Sequence, residues 1–183
     1  MRFVYDEERA AQAAAFLLQR AGGQMYLLTL MKLLYLADRE SLVETGYTIT
    51  GAKMVAMPYG PVLSEVYEAA SQGTDRESPW SLHVGAIAGH KVELRMGAGD
   101  ALSDYDREVL SRVFDRWGHW DRWELVRFTH GLPEWRDPSG SSVPIDPAEI
   151  LRAEGFDDAT VRQTVQDAEA VLALRRRAGA ARA

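Results

Sequence analysis

The chain has 183 residues, 46% hydrophobic and 26% charged, with no cysteine and a formal net charge of −6. A chain of that length buries about 70% of the surface its unfolded form exposes, so one domain folds without a metal or a disulfide. The missing thiols exclude disulfides, cysteine nucleophiles and thiolate metal sites, and the acidic balance works against an extended, sequence-independent grip on phosphates.

The opening residues, Met-Arg-Phe-Val-Tyr-Asp-Glu-Glu, turn acidic too early for a signal peptide. The most apolar stretch, 25–36, is broken by Lys32 and falls short of the ~20 residues of a membrane span. A cytoplasmic, bacterial-type protein with no membrane contact is the expectation.

A first helix starts near Asp6, with Glu7 and Glu8 against its positive end, and stops at Gly22-Gly23. Its stripe of Ala10, Ala13, Ala14, Leu17 and Leu18 suits close approach to a neighbour. Thr29 is the expected N-cap of a second helix ending at Gly46. Leu30, Leu33, Leu34 and Ala37 form one apolar face and Met31, Tyr35 and Leu42 a second, which places that helix centrally.

The run 52–57 reads as a strand ending at Pro58. Gly60-Pro61 then reads as a helix start with proline at the first position, where its missing N–H costs nothing. A polar loop follows over 71–81. Val92, Leu94 and Met96 alternate with Lys91, Glu93 and Arg95, the period of a half-buried strand, with 82–87 as its hairpin partner. One small antiparallel sheet is expected to hold 52–57 and 91–96 together.

Ser103 is positioned to cap a helix carrying Val109, Leu110, Val113, Phe114 and Trp117. Asp121 with Glu124 has capping-box spacing, with Trp120 and Leu125 at staple positions. Asp146-Pro147 opens another helix, flanked by Ile145 and Ile150. The last, from about Asp158, has a seam of Val161, Val165, Ala168 and Leu172 and a terminal run of Arg175 to Arg177. The fold class is therefore mainly α (α+β): one compact domain of six or seven helices with a small antiparallel sheet or hairpin. Residues 1–136 form that domain, 137–146 a linker, and 147–183 a C-terminal helical extension. That extension is expected to dock on its own domain, with an adjustment of partner choice as the functional alternative.

No catalytic constellation emerges. The four histidines lack metal-ligand spacing, and no nucleophile elbow, phosphate loop or dinucleotide fingerprint is present, so no cofactor or metal is assigned. Trp117, Trp120, Trp123, Phe128 and Trp135, interleaved with Arg116, Arg122, Arg127 and Arg136, suggest either stacking on nucleic acid or a satellite core with arginines reaching to water. The core reading is preferred, although an exposed Trp or Arg here suits a protein-interface anchor.

Three stretches, KLLYLADRE at 32–40 followed by Thr-Ile-Thr-Gly at 48–51, VAMPYGPVLSEVYEA at 55–69, and ELVRFTHGLPEW at 124–135, together resemble the Panacea (SocA-like) antitoxin family over residues 25–136. The resemblance implies a non-enzymatic partner for a cognate protein toxin, neutralising it by direct binding, with delivery to a protease as a further possibility. It supplies no catalytic residues. Candidate partner-binding residues are Asp38, Arg39, Tyr59, Trp123, Arg127 and Trp135, with an internal ion pair as the competing reading of Asp38 and Arg39. The alternative class is a nucleic-acid-binding transcriptional regulator whose hairpin, with Lys91 and Arg95, serves as a wing; the charge and the lack of a fused helix-turn-helix count against direct DNA binding. An enzyme acting on a nucleotide or peptide is a third reading, and the sequence leaves the homo-oligomeric state open.

Overall fold

Most helices begin where a short polar side chain meets the first free N–H groups. The computed structural model describes residues 1, 3–72 and 77–180, with the backbone alone for 175–180. Asp6 accepts from the Arg9 amide at 3.1 Å and starts α1, Glu7–Arg20. Ser103 and Asp106 exchange hydrogen bonds in a capping box ahead of α5, Asp104–Trp117, and Asp121 and Glu124 do the same for α6, Arg122–His130. Asp146 caps α7, Pro147–Ala153, and α8 runs Asp158–Ala180. These caps stand at the positions their spacing predicts.

The central helix, α2, Leu27–Thr45, is the exception. It starts two residues before Thr29, behind Tyr26, with no side-chain cap. A three-residue strand, β1, Gln24–Tyr26, feeds straight into it, and the free amide of Leu27 is satisfied by the His90 carbonyl at 2.9 Å. A tertiary acceptor does the work assigned to Thr29, which is buried. At the other end Gly46 adopts φ +79 and closes the helix onto Leu42. Both apolar faces of α2 are covered, by α1, α5, α6, α7 and the following hairpin.

That hairpin corrects the reading of Gly60-Pro61. Strand β2, Met54–Met57, pairs antiparallel with β3, Gly60–Leu63, through the two-residue tip Pro58-Tyr59. Pro61 lies in the strand, and α3, Ser64–Ser71, begins three residues later. Proline is tolerated because β3 is the edge of its sheet, where one N–H is dispensable.

The expected hairpin over 82–96 is also revised. Ser78 and Pro79 start a short helix, α4, Pro79–His83, inside the stretch read as polar loop and strand. Residues 73–76 of that loop lie outside the described residues. Strand β4, Lys91–Glu93, pairs with β1, and only Val84 and Ala88 form isolated bridges with its hairpin arm. Val92 is buried, but Met96 is exposed, so the alternation holds for the middle of the segment alone. Two sheets form instead of one, of order β1-β4 and β3-β2-β5.

The third strand of the second sheet, β5, Val143–Pro144, comes from the stretch read as a linker. It pairs with β2, and the Ile145 amide donates to the Met54 carbonyl at 2.9 Å. Ile145, Ile150, Leu151 and Val161 join the same core as α2, and Thr164 of α8 lies against Gly46, where a Cβ would come within 2.8 Å of its methyl group. The seam of α8 buries Val161 and Ala168 and half-buries Val165 and Leu172. The side chains of Arg175 to Arg177 lie outside the described residues. Among those described there are eight helices, more than the six or seven expected, because α4 was unforeseen. None is long and apolar enough to cross a membrane.

Candidate partner-binding cleft on helix six

The β2–β3 tip, the N-terminus of α6, the start of α2 and the β1–β4 arm converge on one apolar cleft of about 440 Å³. The tip carries Tyr59, 61% exposed, whose ring meets Trp123 of α6 edge-on with centroids 5.9 Å apart. Arg122 lies 4.0 Å from the Tyr26 ring centroid and 5.4 Å from that of Trp123, a guanidinium held by two aromatic rings. It makes no hydrogen bond or ion pair with any described residue. Tyr67 and Ile87 complete the apolar rim.

Beneath the cleft lies Lys32, fully buried, its ammonium donating to the Pro61 carbonyl at 2.8 Å. No described carboxylate reaches it within ion-pair distance. Burial pushes its pKa from 10.5 to about 7. Gly60, at φ +94, covers the amine so closely that a Cβ would fall 2.9 Å from Nζ and 2.7 Å from the Thr129 hydroxyl. His130 stacks on Trp135, centroids 4.0 Å apart, with Nε2 buried and unpartnered. Burial, with the Lys32 charge adding to it, lowers the His130 pKa. Trp135 in turn donates from Nε1 to the Met57 carbonyl at 3.2 Å, pinning the end of β2. Lysine, glycine, threonine, histidine and tryptophan from three distant stretches thus make one buried support for the tip.

The model of the antitoxin SocA-like family, Panacea domain, matches residues 30–136, more than half of the chain. The chain belongs to the SocA-like Panacea family. No curated protein and no solved structure matches it. The matched part of this Panacea chain holds Lys32, the Tyr59 tip, Gly60, α6 and Trp135, while Tyr26 and everything after Arg136 fall outside it.

Of the residues singled out from sequence, the Panacea fold brings Tyr59 and Trp123 together. Arg127 is exposed one turn further along α6, on the same side as Trp123. Trp135 is half-buried behind the cleft, in the support. Asp38 and Arg39 lie elsewhere. Asp38 is buried and accepts from the Ile49 and Thr50 amides at 2.9 and 3.0 Å and from the Thr50 hydroxyl, tying the loop after α2 to the helix. Arg39 binds buried Glu134 at 2.7 Å and Glu154, just past the end of α7, at 2.7 Å, and Tyr35 donates to the same Glu134. Both are engaged in internal polar networks that join elements across the core.

The aromatic run divides by side. Trp117 and Trp120 both pack on Phe128, Trp123 faces the tip, and Trp135 faces His130. Tyr26, Tyr67 and the isolated role of Arg122 went unforeseen. The one available signal was Lys32, a cation interrupting the most apolar stretch of the chain. The arm bearing Lys91 pairs with β1, and Lys91 lies 5.2 Å from the Tyr26 centroid.

Proposed function

We propose that this chain is an antitoxin that neutralises a cognate protein toxin by binding it directly. Membership of the SocA-like family carries the reading, and the exposed Tyr59, Trp123 and Arg122 support it, because Tyr, Trp and Arg dominate protein–protein hot spots. No group of three or more His, Asp or Glu among the described residues is placed to hold a metal, and the polar groups of the support hold backbone in place. Neutralisation by occlusion leaves toxin levels unchanged, whereas delivery to a protease shortens the toxin's lifetime. The test is to express the open reading frame adjacent to this gene alone and together with it. Growth arrest by the neighbour, relieved by this chain with co-elution of the two proteins, is the expected outcome; arrest that persists, or relief without a complex, would sink the proposal. Pulse-chase of the toxin separates occlusion from delivery.

A further inference from the structure

Five of the large apolar side chains left exposed, Tyr26, Tyr59, Tyr67, Ile87 and Trp123, border the cleft on α6. A contiguous apolar patch of that kind marks an interaction site. Its volume of about 440 Å³ lies in the range of about 300–1,000 Å³ typical of binding pockets, which leaves room for an inserted side chain rather than a flat contact.

The charge of the cleft identifies the occupant. The chain carries 27 acidic and 21 basic residues, yet no described Asp or Glu lines the cleft, whereas the guanidinium of Arg122 does and the amine of Lys32 lies buried beneath it. Some arginines of the fold are engaged, Arg39 by Glu134 and Glu154 and Arg112 by Glu40, Glu44 and Glu108. Arg122 has two rings to hold its plane and no anion to meet. A guanidinium already held in place loses little freedom when it forms a two-pronged bond to a carboxylate. A second copy of the chain docked here through a two-fold axis would bring Arg122 against its own copy with no carboxylate between them, so self-association is the poorer fit.

We propose that the cleft receives a segment of the toxin bearing an aromatic or aliphatic side chain beside a carboxylate, the apolar group entering between Tyr59, Tyr67 and Trp123 and the carboxylate meeting Arg122. The proposal rests on the toxin-neutralising reading above and specifies the surface and the chemistry it selects. The β2–β3 tip forms one wall, so the buried support of Lys32, Thr129, His130 and Trp135 sets the cleft's width. Because that support comes from the domain core, the wall is in place before the partner arrives.

Binding of the purified product of the adjacent open reading frame, measured by calorimetry, tests this. Arg122→Glu, Tyr59→Ala and Trp123→Ala each change an exposed or half-exposed side chain, and circular dichroism checks that they fold. Each is expected to weaken binding by about 30-fold or more, while Arg116→Glu, the same charge change on a neighbouring exposed surface, stays within about threefold. A photo-crosslinking residue at position 59 should capture a toxin peptide containing Asp or Glu, and reversing that acid to Arg should restore binding to Arg122→Glu. Unchanged affinity in all three variants, with wild-type binding intact, overturns the cleft and leaves the neutralising reading standing. A captured segment without an acid overturns the carboxylate. A single-stranded oligonucleotide that binds the wild type and is lost with the same variants reassigns the cleft to nucleic acid. Failure of the wild-type chain to bind overturns both readings.

Discussion

The Lys32 ammonium donates to the carbonyl of Pro61 at 2.8 Å, joining the second turn of the core helix to the edge strand of the tyrosine-bearing hairpin. One hydrogen bond leaves the other two donors of the amine without a described partner, and burial lowers its pKa to about 7. In the unfolded chain the amine stays protonated up to about pH 10.4. Between about pH 7 and 10.4 the unfolded chain holds a proton the folded one has lost, so this group's contribution to stability rises with pH over that window. Below pH 7 the penalty of burying the cation is fully present. Urea denaturation from pH 7 to 9.5 should show wild type gaining stability relative to Lys32→Met as pH rises; parallel curves for the two proteins would show that Lys32 does not titrate there.

Asp38 behaves in the opposite sense. Burial raises its pKa from 3.8 to about 7, against the pull of its hydrogen bonds from Thr50 and Ile49. Between about pH 4 and 7 the folded carboxyl keeps a proton that the unfolded chain has released, so its contribution to stability falls as pH rises through that window. Asp38→Asn keeps an acceptor for the loop amides and removes the titration. Melting temperatures from pH 4.5 to 7.5 should therefore fall more steeply for wild type than for the variant. A variant with the wild-type slope would assign that slope to other carboxyls.

Gly60→Ala should destabilise the fold by about 2–3 kcal/mol. The residue adopts φ +94, and its new methyl would meet the Thr129 hydroxyl at 2.7 Å and the Lys32 amine at 2.9 Å. The strain falls on the support of the cleft, so partner affinity should drop together with the thermal midpoint. A variant with unchanged stability would mean that the hairpin tip moves freely over the buried amine.

Truncation after Gly140 removes Ile145, Ile150, Leu151 and Val161, each no more than 5% exposed, and the β5 strand with them. At roughly 1.5–3 kcal/mol for each buried side chain, the loss matches the whole stability of a typical domain, about 5–15 kcal/mol. The shortened chain should give no cooperative thermal transition. Truncation after Ala170 removes the exposed Val171 and Leu174 and should melt close to the full chain. A cooperative melt of the 140-residue chain would make the C-terminal part an independent appendage.

The starts of α1, α5, α6 and α7 were legible because they are local: Asp6, Ser103, Asp121 and Asp146 bond amides two or three residues away. The central position of α2 was legible for a similar reason, since an apolar pattern on two faces has nowhere to go but the core. The strands were legible only in part: 52–57 and 91–96 contain β2 and β4, whereas β1, β3 and β5 gave no such signal. Residues 24–26 are too few to show a period, and Gly60-Pro61 carries the same local signal for a helix start and for an edge strand after a tight turn. Only pairing with Met54–Met57 distinguishes them.

The sequence by itself determined the helical framework, the absence of thiol chemistry and the membership of the SocA-like family, all of which rest on composition or on order along the chain. Tertiary structure alone decided which candidate residues share the cleft. Tyr26, Tyr59 and Trp123 are separated by 33 and 64 residues in sequence, and what gathers them is the packing of β1, the hairpin tip and α6 around α2. The same packing sends Asp38 and Arg39, adjacent in sequence, to unrelated internal networks, because consecutive helical residues point about 100° apart. Which charged groups find partners, and which, like Arg122, are left facing an open cleft, depends on that three-dimensional arrangement and has no local signature.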